Sequence, residues 1–105
     1  MIMADFLRDL EFLSGKPALK RIVKSKKNFN IVRVCLEKGL EIEPHQEPYA
    51  VFFLVLEGSG IFTSEAGEVT LKKNGFQFIK ADEIRGIKCI ENLVFLAVQD
   101  RKSVV

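Results

Sequence analysis

Short apolar runs separated by turn residues fill most of the sequence between residues 18 and 99. This pattern is typical of an all-β barrel or sandwich, in which many short strands follow one another at close spacing. We predict strands at residues 18–24, 29–36, 40–43, 51–57, 60–64, 69–72, 76–79, 86–90 and 93–99. The pair Asn74-Gly75 predicts a tight hairpin turn, since these residues readily adopt positive φ angles.

The N-terminal segment has a different periodicity. Four of its apolar residues recur at helical spacing: Phe6, Leu7, Leu10 and Leu13. They predict a short helix over residues 4–13, with Asp5 at its cap. Charged residues are interleaved with them, so the segment lacks the unbroken apolar stretch of a signal peptide.

No part of the sequence predicts a membrane span, because the longest apolar run, Ala50 to Leu56, is far shorter than the ~20 residues that a spanning helix needs. We therefore expect a soluble, cytoplasmic protein. Cys35 and Cys89 lie in separate apolar runs without the close pairing of a redox or zinc motif, so we expect both to be buried and reduced.

The length of 105 residues fits a single domain. We place its core at residues 30–99, preceded by a helix and strand segment at 4–25 and followed by a short tail at 100–105. Residues 51–56 and 93–98 are apolar at both odd and even positions, whereas a half-solvated strand would alternate. The N-terminal helix or a second copy of the chain must cover their outer faces. We expect a homodimer formed through these two strands.

Charge is distributed unevenly, although the net charge is only +2. Residues 16–36 contain seven bases and no acid: Lys16, Lys20, Arg21, Lys24, Lys26, Lys27 and Arg33. Lysines commonly protect exposed strand edges from aggregation, and this interpretation is favoured. The alternative is a weak nucleic-acid interface at residues 16–33. Because Phe29 is the only aromatic residue among these bases, specific nucleic-acid binding is not expected.

Two stretches of the sequence resemble the motifs of the cupin family. Gly39, His45 and Gly58 match in register the first cupin motif, which runs glycine, five residues, His-x-His, three or four residues, Glu, six residues, glycine. The stretch from Leu71 to Ile79 is similar to the second motif, with its leucine, turn glycine and following strand. The resemblance covers roughly residues 30–99 and implies a jelly-roll barrel of six to eight strands.

The resemblance also implies where a cupin metal would bind, and this sequence departs from that pattern. Three histidines and a glutamate normally converge on the ion. His45 matches the first ligand and Glu47 stands at the second, whereas Val51 replaces the glutamate and Arg85 or Gly86 replaces the last histidine. We expect no cofactor. If a divalent metal did bind, its ligands would be His45 and Glu47.

Glu43 is a further candidate ligand for such a metal, because it shares parity with His45 and Glu47 along the strand. Pro44 disturbs that strand, which favours a solvated position for Glu43 at the barrel mouth instead.

Three functions are compatible with these residues. The favoured one is a non-catalytic binding or sensory module, whose barrel holds a small molecule. Its interior would be lined by apolar residues and by three convergent polar groups: Val51, Phe53, Val55, Phe78 and Phe95, with His45, Glu47 and Arg85. The alternatives are a metal-dependent dioxygenase or isomerase using His45 and Glu47, and a weak nucleic-acid binder.

Arg85 carries the most specific expectation. We predict that it points into the barrel within reach of Glu47, where its guanidinium supplies the cation that a metal would otherwise supply. Arginine also binds carboxylate or phosphate, so a small anion is the expected ligand. In the alternative register Gly86 faces inward and Arg85 lies in solvent.

Overall fold

The computed structural model describes residues 5–24 and 28–100, which form seven antiparallel strands. The strands are β1 (Ala18–Lys24), β2 (Phe29–Leu36), β3 (Glu41–Gln46), β4 (Val51–Ser64), β5 (Gly67–Lys72), β6 (Phe76–Ile79) and β7 (Ile84–Asp100). The all-β fold expected from the sequence is confirmed. No helix in the described part of the chain is long and apolar enough to cross a membrane.

The two longest strands, β4 and β7, pair with each other along nearly their whole lengths. Their register runs from Val51 opposite Gln99 to Thr63 opposite Gly86. Four separate short strands were predicted here, at 51–57, 60–64, 86–90 and 93–99, and that division was wrong. Register shifts near Gly58 let the strands bend while their pairing continues. The residues around Gly58, which were predicted to separate two strands, therefore form a bulge within β4.

The bend divides the barrel into two facing sheets. One half of the long ribbon consists of residues 51–57 of β4 and 93–100 of β7. It pairs with β6 along one edge and with β2 along the other, and β1 pairs with β2. The other half consists of residues 59–64 of β4 and 84–90 of β7, and it pairs with β5 along one edge and with β3 along the other. The tight turn predicted at Asn74-Gly75 forms, with the Gly75 N–H bonded to the Lys72 carbonyl at 2.7 Å, but it connects β5 in one sheet to β6 in the other and is not a hairpin.

An aromatic cluster joins the two sheets in the core. Phe53 and Phe95 come from one sheet and Phe62 from the other, with ring centroids 5.5–5.6 Å apart. The Phe95 ring meets the other two nearly edge-on, which is a favourable geometry for aromatic pairs. All three rings are buried, so this cluster closes the barrel interior at the bend.

The predicted N-terminal helix does not form in the described residues 5–13, which contain a single turn. Asp5 caps this turn, because its Oδ1 accepts the Leu7 N–H at 2.8 Å. The buried guanidinium of Arg33 donates hydrogen bonds of 2.7–3.1 Å to three main-chain carbonyls of the segment: Phe6, Arg8 and Asp9. These bonds direct the three carbonyls to Arg33, and Asp9 has a φ of 54°, which lies outside the right-handed helical region. The segment therefore lies against the sheet in an irregular conformation.

The outer face of the larger sheet is covered only in part. Phe12, Leu13 and Leu56 pack against a buried cluster that includes Val94. Phe78 was predicted to line the interior, but it lies on this outer face and is 58% exposed. The register explains the error, because β6 pairs Phe78 with Phe52 and turns Ile79 inward beside Val51 instead.

Both cysteines are buried and unpaired, in agreement with their predicted packing role. The Cys89 thiol donates to the carbonyls of Leu36 and Glu91 at 3.3 and 3.2 Å. Burial raises the pKa of this thiol, so its neutral form is favoured and its reactivity is low.

Because of the bend, we predict that any side chain at position 58 strongly destabilises the fold. Its φ is 78°, and a Cβ there would overlap the carbonyl oxygen of Asn92. We expect Gly58→Ala to lower the free energy of unfolding by at least about 3 kcal/mol in urea titrations, since overlap with main chain adds to the strain. Gly39→Ala is the control, because Gly39 has a φ of 89° and open space around it. It should cost only about 1–2 kcal/mol. Equal losses for the two variants would contradict this account.

Candidate functional site

A cavity of about 410 Å³ lies between the two sheets and forms the candidate site. Its volume is within the range of about 300–1,000 Å³ found for small-molecule sites. Its walls are mostly apolar, with a few polar side chains: Leu19, Arg21, Val32, Val34, Ile42, His45, Tyr49, Val51, Phe53, Arg85, Gly86, Ile87, Phe95, Ala97 and Gln99. Phe53 and Phe95 belong also to the aromatic cluster, so that cluster forms the cavity floor.

Strand alternation explains which side chains face the cavity. On β2, Val32 and Val34 point inward, and β1 places Arg21 and Leu19 opposite them. Partners that face one another in an antiparallel pair lie on the same side of the sheet. The edge strand β1 therefore contributes a cavity wall, with Arg21 exposed to solvent at one border.

Arg85 is buried, with 4% of its surface exposed, and its guanidinium binds the main chain of two loops. It donates to the Tyr49 carbonyl at 2.9 Å and to the Glu47 carbonyl at 3.5 Å. From the other loop it donates to the carbonyls of Lys80 at 3.1 Å and Glu83 at 3.2–3.3 Å. Its Cζ also lies 5.3 Å from the centre of the Tyr49 ring. This set of contacts is here called the Arg85 clamp.

Gly86, the alternative to Arg85 at the last ligand position, has no room for a side chain. A Cβ there would lie 2.9 Å from Cγ and 3.0 Å from Cα of Pro44. The β3 strand bulges between Ile42 and His45, and its Pro44 presses against β7 at this point. Arg85 is thus the inward-facing candidate, and its guanidinium lies in the cavity wall rather than in solvent.

The charge of the Arg85 clamp is balanced mainly by oxygen dipoles. Burial lowers the pKa of the guanidinium, and the nearby Tyr49 and Glu47 oppose this effect. We expected the Glu47 carboxylate to pair directly with Arg85, but only its main-chain carbonyl does. An arginine carries five donors in a planar fork, so it can satisfy several carbonyls at once.

His45 and Glu47 lie next to each other at the cavity mouth. The Nε2 of His45 is 3.4 Å from Oε1 of Glu47, and its Nδ1 is 2.8 Å from the Glu43 carbonyl oxygen. His45 is opposite Arg85 in the β3–β7 register, and it lines the cavity. Both ring nitrogens of His45 therefore already have partners within the chain.

These side chains do not fit the metal that the cupin resemblance implies. Val51 is buried and offers no ligand atom, and Arg85 places a fixed cation where a histidine would be needed. Within residues 5–24 and 28–100, no three His, Cys, Asp or Glu side chains converge as a metal site. Glu43, the further candidate ligand, has an exposed side chain and reaches His45 only through its main chain.

The sequence identified part of this cavity. Val51, Phe53, His45 and Arg85 line it, whereas Val55 is packed in the core outside it. Glu47 lies beside His45 but does not line the wall. Four residues of the cavity wall were not predicted from the sequence. They are Leu19 and Arg21 on the edge strand β1, and the polar residues Tyr49 and Gln99. Strand alternation places Leu19 and Arg21 on the same face of β1, but only the pairing of β1 with β2 shows that this face points to the interior.

Solved structures with the same fold cover nearly all of this chain. A cupin protein similar to RmlC from Desulfovibrio desulfuricans superimposes with a TM-score of 0.86 and 18% identity, over 96% of this chain and 97% of that one. TT1209 from Thermus thermophilus gives a TM-score of 0.87 and 19% identity, over 95% and 97%. A double-stranded β-helix protein from Klebsiella pneumoniae gives 0.83 and 16%, over 95% and 90%. No family model and no curated protein matches the sequence.

This chain has the fold of a small cupin domain. The resemblance predicted from Gly39, His45 and Gly58 is confirmed at the level of architecture. At such low sequence identity the likeness extends to the fold alone, and the chemistry of the cupin cavity must be argued from its own side chains.

The Arg85 clamp predicts a large stability effect. Arg85→Met keeps an apolar stem of similar length but leaves buried carbonyls without a donor, so we expect a loss of about 3–5 kcal/mol in the free energy of unfolding. Lys88→Met, on the same strand with an exposed side chain, is the control and should change stability by less than about 0.5 kcal/mol. Urea unfolding measures both, and a small effect at Arg85 would refute the clamp.

Proposed function

We propose that this cupin domain is a non-catalytic module that binds a small organic molecule in its cavity. The cavity itself supports the proposal: apolar walls with polar groups near the border provide the features by which small-molecule sites bind and orient a ligand. Burial of an apolar ligand on walls such as Val32, Val34 and Ala97 would supply the driving force.

The side chains near the mouth also favour binding over catalysis. A general base needs a lone pair directed at the substrate, and a metal ligand needs one directed at the ion. In this cavity His45 is engaged by Glu47 and by the Glu43 carbonyl, and Arg85 is held by main-chain oxygens. The alternative is a metal-dependent dioxygenase or isomerase using His45 and Glu47. Stoichiometric metal in protein purified without a histidine tag would favour that alternative.

Filling the cavity tests the binding proposal. Naphthylmethanol, a neutral bicyclic aromatic probe, should bind the wild-type protein in isothermal titration calorimetry. Ala97→Phe places a ring in the cavity and should abolish this binding, because Ala97 is a buried part of the wall. Val32→Phe is a second variant that fills the cavity from β2, in case the first does not fold.

Val69→Glu is the control for this experiment, since Val69 is exposed on β5 outside the cavity wall and its replacement should leave binding unchanged. Absence of binding to the wild type, or equal binding to Ala97→Phe, would contradict the proposal.

We further propose that the domain forms a homodimer through the uncovered part of its outer face. A groove there, here called the outer groove, is formed by Asn28, Phe29, Ala50, Phe52, Phe78, Val98 and Asp100. Phe76 stacks on Phe52 at 5.6 Å, and Phe76 and Phe78 are 63% and 58% exposed. Exposed aromatic rings on one continuous face favour an interface, and a second copy offers the same apolar surface across a two-fold axis.

The dimer prediction is tested by Phe78→Glu, which places a charge in the outer groove. We expect the wild type to sediment as a dimer at micromolar concentration and this variant to sediment as a monomer, because an unpaired charge opposes burial. Val69→Glu is the matched control, since Val69 is exposed on β5 in the other sheet. A monomeric wild type would refute the dimer.

Nucleic-acid binding receives less support from the placement of the bases. Arg33 is buried against the N-terminal segment, and Arg21 lines the cavity, so the bases of segment 16–33 do not share one surface. Lys26 and Lys27 lie outside the described residues. A cytoplasmic location stays a prediction, supported by two cysteines that form no disulfide, as is usual in reducing compartments.

A further inference from the structure

Two arginines line the cavity, Arg85 and Arg21, and their guanidinium groups are in different chemical situations. The buried Arg85 makes five contacts with main-chain oxygens, using its Nε and both Nη atoms. These contacts use Nε and Nη2 fully, so at most one of the five N–H donors, on Nη1, is left for a ligand. The surrounding carbonyl dipoles also offset its charge. Arg85 therefore positions the loops at the mouth and does not offer a free cation.

Arg21 is free to act differently. Its side chain lies on the inner face of β1 opposite Val32, borders the cavity and is exposed. No described residue forms an ion pair or a side-chain hydrogen bond with its guanidinium. The register of β1 shifts directly after Arg21, and bulges of this kind commonly redirect a side chain beside a site.

The rest of the cavity wall leaves the charge of Arg21 unopposed. No Asp or Glu is among the described residues that line the cavity. Glu47, the acidic residue beside His45, has its Oε1 3.4 Å from Nε2 of that histidine. An anionic group entering the cavity would thus meet a cation whose donors are available, above walls that are apolar.

We infer that Arg21 binds the acidic group of the ligand and that the ligand class is a carboxylate with an apolar body. This inference rests on the proposed binding function of the cavity. A single guanidinium pairs with one carboxylate through two parallel hydrogen bonds, so a single free arginine matches a monoanion. The apolar remainder of the ligand lies against Val32, Val34 and the floor formed by Phe53 and Phe95.

The experiment compares two probes of the same shape, naphthoate and naphthylmethanol, by isothermal titration calorimetry. The wild type should bind naphthoate about tenfold or more tightly than naphthylmethanol, the difference expected for a hydrogen bond between charged groups. Arg21→Gln should remove this preference and leave the affinity for naphthylmethanol unchanged. Arg21→Lys should restore part of it, because lysine keeps the charge without the planar fork.

Lys20→Gln is the matched control, since it removes one positive charge from the neighbouring position, which lies on the other face of β1 opposite Arg33. It should leave the preference for naphthoate unchanged. If naphthylmethanol binds the wild type but naphthoate binds no more tightly, the role of Arg21 is refuted while the binding function stands. An equal loss in the Lys20 and Arg21 variants would refute a specific contact. If neither probe binds, the proposed function fails.

Discussion

The continuous pairing of β4 with β7 is the constraint on which the rest of this structure depends. One long ribbon belongs to both sheets. Four strands take their places by joining one of its edges, namely β2, β3, β5 and β6, and β1 then joins β2. The ribbon can fold over only where Gly58 passes the main chain of Asn92 without a side chain. Because the fold direction is set there, Phe62 in one half is brought against Phe53 and Phe95 in the other. The core and the cavity are both consequences of that bend.

The cavity follows from unequal filling of the barrel. Aromatic rings occupy the interior near the bend, whereas smaller residues such as Val32, Val34 and Ala97 line the other end and leave space between the sheets. The loops over that space carry main-chain carbonyls that need donors, and the Arg85 clamp supplies them from within the wall. A metal held by side chains could also organise such a mouth. In this chain the guanidinium of Arg85 does so. Position 85 therefore contributes to the stability of the mouth and does not provide a centre that exchanges ligands.

Much of the fold could be predicted from the sequence, because strand patterns and glycine positions are local signals. The bounds of β1, β2 and β6 were predicted to the residue, while the breaks within β4 and β7 were not, since a bulge and a turn use the same residues. Phe78 was misplaced because strand parity, without the register against β4, does not say which face is internal. The N-terminal helix failed for a longer-range reason, namely that the buried Arg33 takes its carbonyls. The candidate site was predictable where the cupin motif supplied register, at His45 and Arg85, and not at Arg21.

Three arginines of this protein show why composition alone gives little information about function. Arg33 and Arg85 are both buried and both bind main-chain carbonyls, one fixing the N-terminal segment and the other fixing the loops at the mouth. Desolvating a guanidinium is costly, and in each case several carbonyl oxygens replace the lost water. Arg21 differs because it borders the cavity while keeping access to solvent, so it bears no such cost before a ligand arrives. An arginine whose donors are already satisfied contributes to structure, whereas one with donors to spare beside an apolar cavity can discriminate between ligands. In this fold, ligand recognition would then depend on an edge strand outside the cupin motifs, and Arg85, which aligns with the last ligand of the cupin motif, would contribute to the architecture.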